Sequence, residues 1–165
     1  MFKSPVILLA VAAATSTLGG AQDSVRVEPA KLESPRHLEE QTATAAIRDY
    51  LHSWQSLGAA LEQNRAGLLD ADFVGAARDK LADTVQQQAA LGIRTLYRDR
   101  AHDLQIVFYS PDGLSIELTD KVDYDEQILD HDKVQISQRI QARYVVVLTP
   151  AEVRWRVRVF QAAAE

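Results

Sequence analysis

Apolar residues recur along this chain at two spacings, first that of a helix and then that of a strand. Over residues 39–64 and again over residues 72–91 they return every three or four positions, which predicts two amphipathic helices. Asp70 or Asp72 is suited to cap the second helix, and Gly92 is suited to end it. The first half of the domain is therefore predicted to be helical and to pack on a core.

After Gly92 the apolar period changes to two, which is typical of strands with one buried face. Turn sequences separate the runs at residues 110–113, 130–132 and 149–152. Short turns between neighbouring strands favour an antiparallel meander. We expect an α+β domain in which two N-terminal helices pack on a curved antiparallel sheet of about four strands.

The alternation also predicts which strand residues point toward the helices. They are Leu104, Ile106, Phe108, Leu114, Ile116, Leu118, Ile140, Ala142, Tyr144, Val146, Leu148, Val153, Trp155, Val157 and Val159. This set contains no aspartate, glutamate or histidine, and the apolar helix stripes add no carboxylate. The sequence thus predicts an interior without acid–base groups.

The order of parts and the last hairpin, from Tyr144 through Trp155 to Phe160, resemble the nuclear transport factor 2-like superfamily, which includes the SnoaL-like proteins. The resemblance implies a cone-shaped roll whose helices cover a bent sheet. It also implies several possible functions, because the superfamily contains isomerases, cyclases, hydrolases and dehydratases as well as non-enzymatic transport and secretion-assembly domains.

Enzymes of this superfamily require a titratable group inside the cone. The candidates here are Asp99, His102 and Asp103, which lie where the first long strand is irregular; a surface bend is the alternative reading. His52 with Asp49 is interpreted as a solvated helix face, and His131 as part of a solvated acidic turn. The sequence predicts no cofactor and no metal site, because no three or four ligands converge in it.

Two further sets of residues are candidates for binding. A small apolar pocket for a hydrophobic ligand would be lined by Tyr50, Trp54, Thr84, Gln88, Tyr97 and Tyr144, although the same residues could simply fill the core. A homodimer or protein-partner interface on the outer sheet face would use Arg139, Arg143, Arg154, Arg156 and Arg158. The alternative for these arginines is a solvated face neutralised by acids on neighbouring strands.

The N-terminus predicts export. Residues 1–21 combine a basic start, an apolar run of about 14 residues and small residues before Gln22, the pattern of a cleavable secretory signal. The run is short for a membrane span, which needs about 20 residues, although an uncleaved anchor is the alternative. Residues 22–38 contain two prolines and no apolar period, and we interpret them as a flexible tether before the domain at residues 39–165.

Composition narrows the class of partner. The chain carries a net charge of −5, has no cysteine, and becomes slightly more acidic when Lys3 leaves with the signal. An acidic domain lacks the basic field that nucleic acid requires. We therefore expect a periplasmic or secreted protein that contacts neither nucleic acid nor, after cleavage, a membrane.

These observations favour an exported, non-catalytic binding or assembly module. The alternative is a small lyase, isomerase or hydrolase that acts on a hydrophobic ligand in the cone. An assembly domain of a secretion system would require the N-terminal segment to stay attached as an anchor.

Overall fold

The structure is a computed structural model that describes residues 24–32 and 36–163. The predicted signal at residues 1–21 lies outside the described residues. Within them, no helix is both long enough and apolar enough to cross a lipid bilayer.

Two helices come first, as predicted. α1 spans Glu40–Gln63 and ends at Asn64, whose left-handed conformation (φ 53°) stops the helix. A short 3-10 turn, Ala66–Leu69, leads to α2, Gly75–Ala90. α2 begins three residues later than the pattern suggested, after Val74, and no side chain caps it. Asp70 and Asp72 therefore do not cap α2.

Five strands form one curved sheet in the order β1-β2-β3-β4-β5. They span Ser24–Val27, Ile93–Tyr109, Ile116–Asp130, Lys133–Pro150 and Trp155–Ala162. β2 to β5 form the predicted antiparallel meander. β1 was not anticipated: it lies inside the segment predicted as a tether and pairs parallel with β2.

The predicted turns are present between the strands. Gly113 has a φ of 77°, and its N–H donates to the carbonyl of Ser110 at 2.9 Å. His131 and Asp132 have φ values of 45° and 67°, so the β3–β4 turn uses two left-handed residues. Both turns are tight enough to make neighbouring strands antiparallel partners.

Two of the β-bulges in the sheet send residues to a face other than the predicted one. One lies between Ile106 and Phe108, and it sends Tyr109 inward while Phe108 is exposed. The other lies between Val147 and Leu148 opposite β5, and it pairs Phe160 with the buried Val146 in place of Val159.

The inward assignments of Phe108 and Val159 are therefore wrong. Leu114 and Val153 lie in the connections that precede β3 and β5 and are exposed, so their inward assignments are wrong as well.

The core lies between the helices and the inner face of the sheet. Tyr50, Leu57 and Leu61 of α1 are buried there against Leu118 and Val146, which are fully buried. The connection between the helices also joins the sheet, because Phe73 bridges Val157 and the backbones of Asp72 and Val74 bond to Val157. This connection covers the outer edge of β5 and fixes α2 against it.

Candidate functional site

A buried polar network lies inside the cone, where the sequence predicted none. The Tyr50 hydroxyl donates to Asp120 Oδ2 at 2.7 Å, and His102 Nδ1 lies 2.8 Å from the same oxygen. The other imidazole nitrogen, Nε2, lies 3.7 Å from an Asp99 oxygen. We call Tyr50, Asp99, His102 and Asp120 the interior network.

Three elements position these side chains. Asp120 lies on the inner face of β3, in step with Leu118 and Val122, and is completely buried. Tyr50 lies on the inner stripe of α1 and also accepts the indole N–H of Trp54, one helical turn further on, at 2.8 Å. The network therefore joins α1 to the middle of the sheet.

β2 places both Asp99 and His102 in the network by means of a bulge. A regular strand turns residues three apart to opposite faces. The ladder between β2 and β3 shifts between Asp99 and Ala101, and this irregularity lets Asp99 and His102 approach each other. Asp99 remains about one third exposed, so the network reaches the protein surface at that end.

The carboxylates determine the protonation of His102. Burial by itself lowers the pKa of an imidazole, but the hydrogen bonds and charges of Asp120 and Asp99 outweigh it and raise the pKa of His102 to about 9. Burial also raises the pKa of Tyr50 well above its ordinary value, and the charge of Asp120 adds to that effect. At neutral pH the network therefore contains an imidazolium and a neutral tyrosine.

Aromatic rings surround the network. The Trp54 ring lies 5.4 Å from the His102 ring, centroid to centroid, and 5.6 Å from the ring of Tyr144. Tyr144 in turn stacks on Phe160 at 4.5 Å. Because Trp54 and Tyr144 are each only 3% exposed, these rings fill the interior beside the network.

A second buried acid lies further along β3. Glu126 is 3% exposed and accepts a hydrogen bond from Gln138 at 2.8 Å. Burial raises the pKa of Glu126. The hydroxyl of the neighbouring Tyr97 is buried without a hydrogen-bond partner among the described residues.

The prediction of an interior without acids or histidine is therefore wrong. Asp120, Glu126 and His102 all point inward, and Asp120 and Glu126 lie in the stretch of β3 that appeared only as a run of acids. The signal was available: the alternation of Leu118 and Val122 continues through Asp120.

The three acid–base candidates separate in the structure. Asp99 and His102 meet in the interior network, whereas Asp103 turns to the other face of β2 and faces Arg26 at 3.7 Å.

The six residues proposed to line a pocket also divide. Tyr50, Trp54, Tyr97 and Tyr144 belong to the aromatic interior. Thr84 bonds its own helix at the Lys80 carbonyl. Gln88 is fully buried and bridges α1 to β2 through Leu61, Asn64 and Thr95.

The five arginines do not share one surface. β5 pairs only with Tyr144–Pro150 of β4, so Arg139 lies beyond the end of β5 and pairs with Asp123 of β3. Arg156 bonds the carbonyls of the connection before α2. Arg143 and Arg158 are exposed.

Arg154 reaches a buried carboxylate instead of the outer sheet face. It contacts Asp72 at 2.8 Å, and Asp72 is also bonded by Ser56 and by His52. Burial alone raises the pKa of Asp72, but these hydrogen bonds outweigh it and lower the pKa.

His52 pairs with Asp72 and not with Asp49. Asp49 is itself buried and accepts the Trp155 N–H at 2.9 Å. The interpretation of Asp49 as part of a solvated face is wrong.

A surface groove of about 620 Å³ runs between β1 and α1. It is lined by Val27, Thr44, Ile47, Arg48, Leu51, His52 and Gln55. It lies on the opposite side of α1 from the interior network.

Comparison with known proteins gives the fold. No family model matches the chain, and no curated protein matches it. Among solved structures, the intermembrane space region of the chloroplast protein ARC6 aligns with a TM-score of 0.65 and 13% identity, covering 79% of this chain and 100% of that one.

Two further structures align at the level of the fold. A putative scytalone dehydratase from Novosphingobium aromaticivorans has a TM-score of 0.52 and 11% identity over 76% of this chain and 89% of that one. Aln2 from Streptomyces sp. has a TM-score of 0.51 and 10% identity over 78% and 94%. The chain therefore has the predicted α+β fold, two helices packed on a curved sheet, with five strands in place of about four, and these solved structures share that fold. Identities this low carry no activity with them.

Proposed function

We propose that this protein is an exported, non-catalytic binding or assembly module. In this proposal the interior network is a framework that holds the cone together, and the partner binds on the outside. The export part rests on the secretory pattern of residues 1–21.

One observation carries the proposal: the His102 imidazole of the interior network is enclosed by protein groups. Both nitrogens of His102 face protein carboxylates, and His102 is 5% exposed. A general acid or base must come within about 2.6–3.2 Å of a substrate atom. Nδ1 of His102 is hydrogen-bonded to Asp120, Nε2 lies 3.7 Å from Asp99, and the rings around Trp54 pack beside the imidazole, so a substrate has no open position next to it.

A small lyase, isomerase or hydrolase is the second candidate, and one observation favours it. Asp99 is partly exposed, so a movement of Asp99 away from His102 would free Nε2 of an imidazolium. A histidine with a pKa of about 9 is protonated at neutral pH and would act as a general acid there. Asp120 would be a positioning residue in this case.

The two candidates differ in what a small carbonyl compound does to the interior. We expect that titrating isotope-labelled protein with 1-tetralone or cyclohexenone leaves the nuclear magnetic resonance signals of the His102 imidazole and the Trp54 indole unchanged. A saturable shift of both signals in the wild-type protein, with the Trp54 shift lost in His102→Gln, would overturn the framework proposal in favour of the enzyme. Leu91, which is exposed at the end of α2, provides Leu91→Ala as a control that should change neither result.

A further inference from the structure

The first part of β4 is an unpaired sheet edge. β5 pairs with Tyr144–Pro150 and stops there, whereas β4 begins at Lys133. Residues 133–143 pair with β3 on one side, and within residues 24–32 and 36–163 no strand lies on their other side. We call residues 133–143 the β4 edge.

The backbone of the β4 edge points its hydrogen-bonding groups outward at alternate residues. The Arg143 carbonyl accepts the N–H of Ala163 at 2.7 Å, so the backbone groups of Arg143 face the side of β5. In an antiparallel ladder these directions alternate along a strand. The N–H and C=O groups of Gln141, Arg139 and Ser137 therefore face the same side, beyond the end of β5. Such a row is a template for one more strand.

The charges of the β4 edge favour one kind of partner strand. The β4 edge carries Lys133, Arg139 and Arg143, and no acid occurs between residues 133 and 151; Arg139 is already paired with Asp123 of β3. Arg143 also stands directly opposite Lys121 of β3, and both are exposed. Like charges that face each other destabilise a sheet, so an anionic group beside them is favoured.

The same charges disfavour a second copy of this chain. Two β4 edges paired with each other would bring strands whose only charged residues are basic against one another, and like charge of this kind is a common way to protect an edge from self-association. An acidic strand paired with the β4 edge would instead bring opposite charges together. Val134 and Ile136 are about half exposed and would give it apolar contacts.

We infer that the β4 edge binds an extended acidic segment of a partner protein, which adds to the sheet as a sixth strand. This inference rests on the proposed binding function and specifies its partner class. Backbone hydrogen bonds would supply affinity, and acidic side chains facing Arg143 and Lys121 would supply selectivity.

The probe for this inference is a blocked peptide of alternating glutamate and valine, with a lysine–valine peptide as its counterpart. We expect the acidic peptide to bind, to slow hydrogen exchange at the amides of Ser137, Arg139 and Gln141, and to bind more weakly as salt rises. Binding of both peptides alike, or protection confined to other strands, would contradict the inference.

Two variants make the test specific to the β4 edge. Gln141→Pro removes an outward N–H that β3 does not use, so the fold should persist while binding weakens about tenfold, the loss of about one hydrogen bond. Arg143→Gln should also weaken binding, whereas Arg158→Gln on β5 should not. Circular dichroism of Gln141→Pro checks folding, and Arg143→Gln keeps the inference testable if that variant unfolds.

Light scattering tests whether a second copy of this chain occupies the β4 edge. If the mass doubles with concentration and Gln141→Pro abolishes the doubling, a second copy occupies the edge and the inference fails. If the peptide test fails while the His102 and Trp54 signals stay unchanged by the carbonyl compounds, only the inference about the β4 edge is rejected. A response of those two signals would reject the binding module itself.

Discussion

At the scale of single residues, Asp120 is the centre of the interior. One of its oxygens receives both Tyr50 and His102, and the other is buried without a hydrogen-bond partner among the described residues. A buried carboxylate of this kind is tolerated only when it is well paired, because desolvating a charge is costly. Loss of either donor should therefore destabilise the fold.

Tyr50 and Tyr97 allow a matched test of that argument. Tyr50→Phe removes the hydroxyl that bridges Trp54 and Asp120, and we expect it to lower the free energy of unfolding by about 1–3 kcal/mol. Tyr97→Phe removes a buried hydroxyl with no described partner and should cost little or stabilise. Urea unfolding measures both, and equal losses would mean that the bridging bonds contribute nothing.

His102 predicts how stability depends on pH. Its pKa in the folded protein is about 9, against about 6.5 in an unfolded chain. A raised pKa stabilises fully below the unfolded value, so the free energy of unfolding should fall as the pH rises from about 6.5 through about 9, by up to about 3 kcal/mol.

The control for the pH dependence is His102→Gln, which should flatten this part of the stability profile. Asp120→Asn should reduce the slope as well, because the strongest partner of the imidazolium is gone. A wild-type profile that stays level between about pH 6.5 and 9 would show that the carboxylates do not hold the proton on His102.

At the scale of elements, β5 is tied to the helices through one buried carboxylate. Arg154 reaches Asp72, which is 1% exposed and also bonds α1 through Ser56 and His52. We expect Arg154→Glu to destabilise the protein by about 2–4 kcal/mol, because it places a second acid beside a buried one. Arg158→Glu, an exposed position within β5, which begins directly after Arg154, should stay within about 0.5 kcal/mol. Thermal unfolding compares the two variants, and similar midpoints would contradict the role of Asp72.

The elements were predictable where the apolar period was unbroken. Both helices and the four antiparallel strands follow from such stretches, for example Val146 and Leu148 on β4. β1 was not predicted, because its four exposed residues carry little apolar signal. The interior network was not predicted for a related reason. An aspartate at an inward position, such as Asp120, looks like the end of a strand until its partners are known.

Irregular geometry hid the rest of the site. The bulge between Asp99 and Ala101 brings Asp99 and His102 together at a spacing that strict alternation forbids. A second bulge exchanged Val159 for Phe160 on the inner face. Bulges depend on how two strands pair, so the sequence of either strand alone does not reveal them.

At the scale of the whole molecule, β1 limits where the predicted signal can be removed. β1 starts at Ser24, and its register with β2 runs from Ser24 opposite Ala101 to Val27 opposite Leu104. We expect the exported protein to begin at Gln22, which leaves β1 intact. Intact-mass spectrometry of protein recovered after export measures this, and a chain that retains Met1 would indicate the anchored alternative.

The position of Trp54 also has an optical consequence. The Trp54 indole ring lies 5.4 Å from the ring of His102, and a protonated imidazole quenches nearby indole fluorescence. The chain has only one other tryptophan, Trp155, so a Trp155→Phe protein would emit from Trp54 alone. The fluorescence of this protein would increase as His102 loses its proton. The emission intensity of Trp54 would therefore measure the protonation state of His102 in the folded protein.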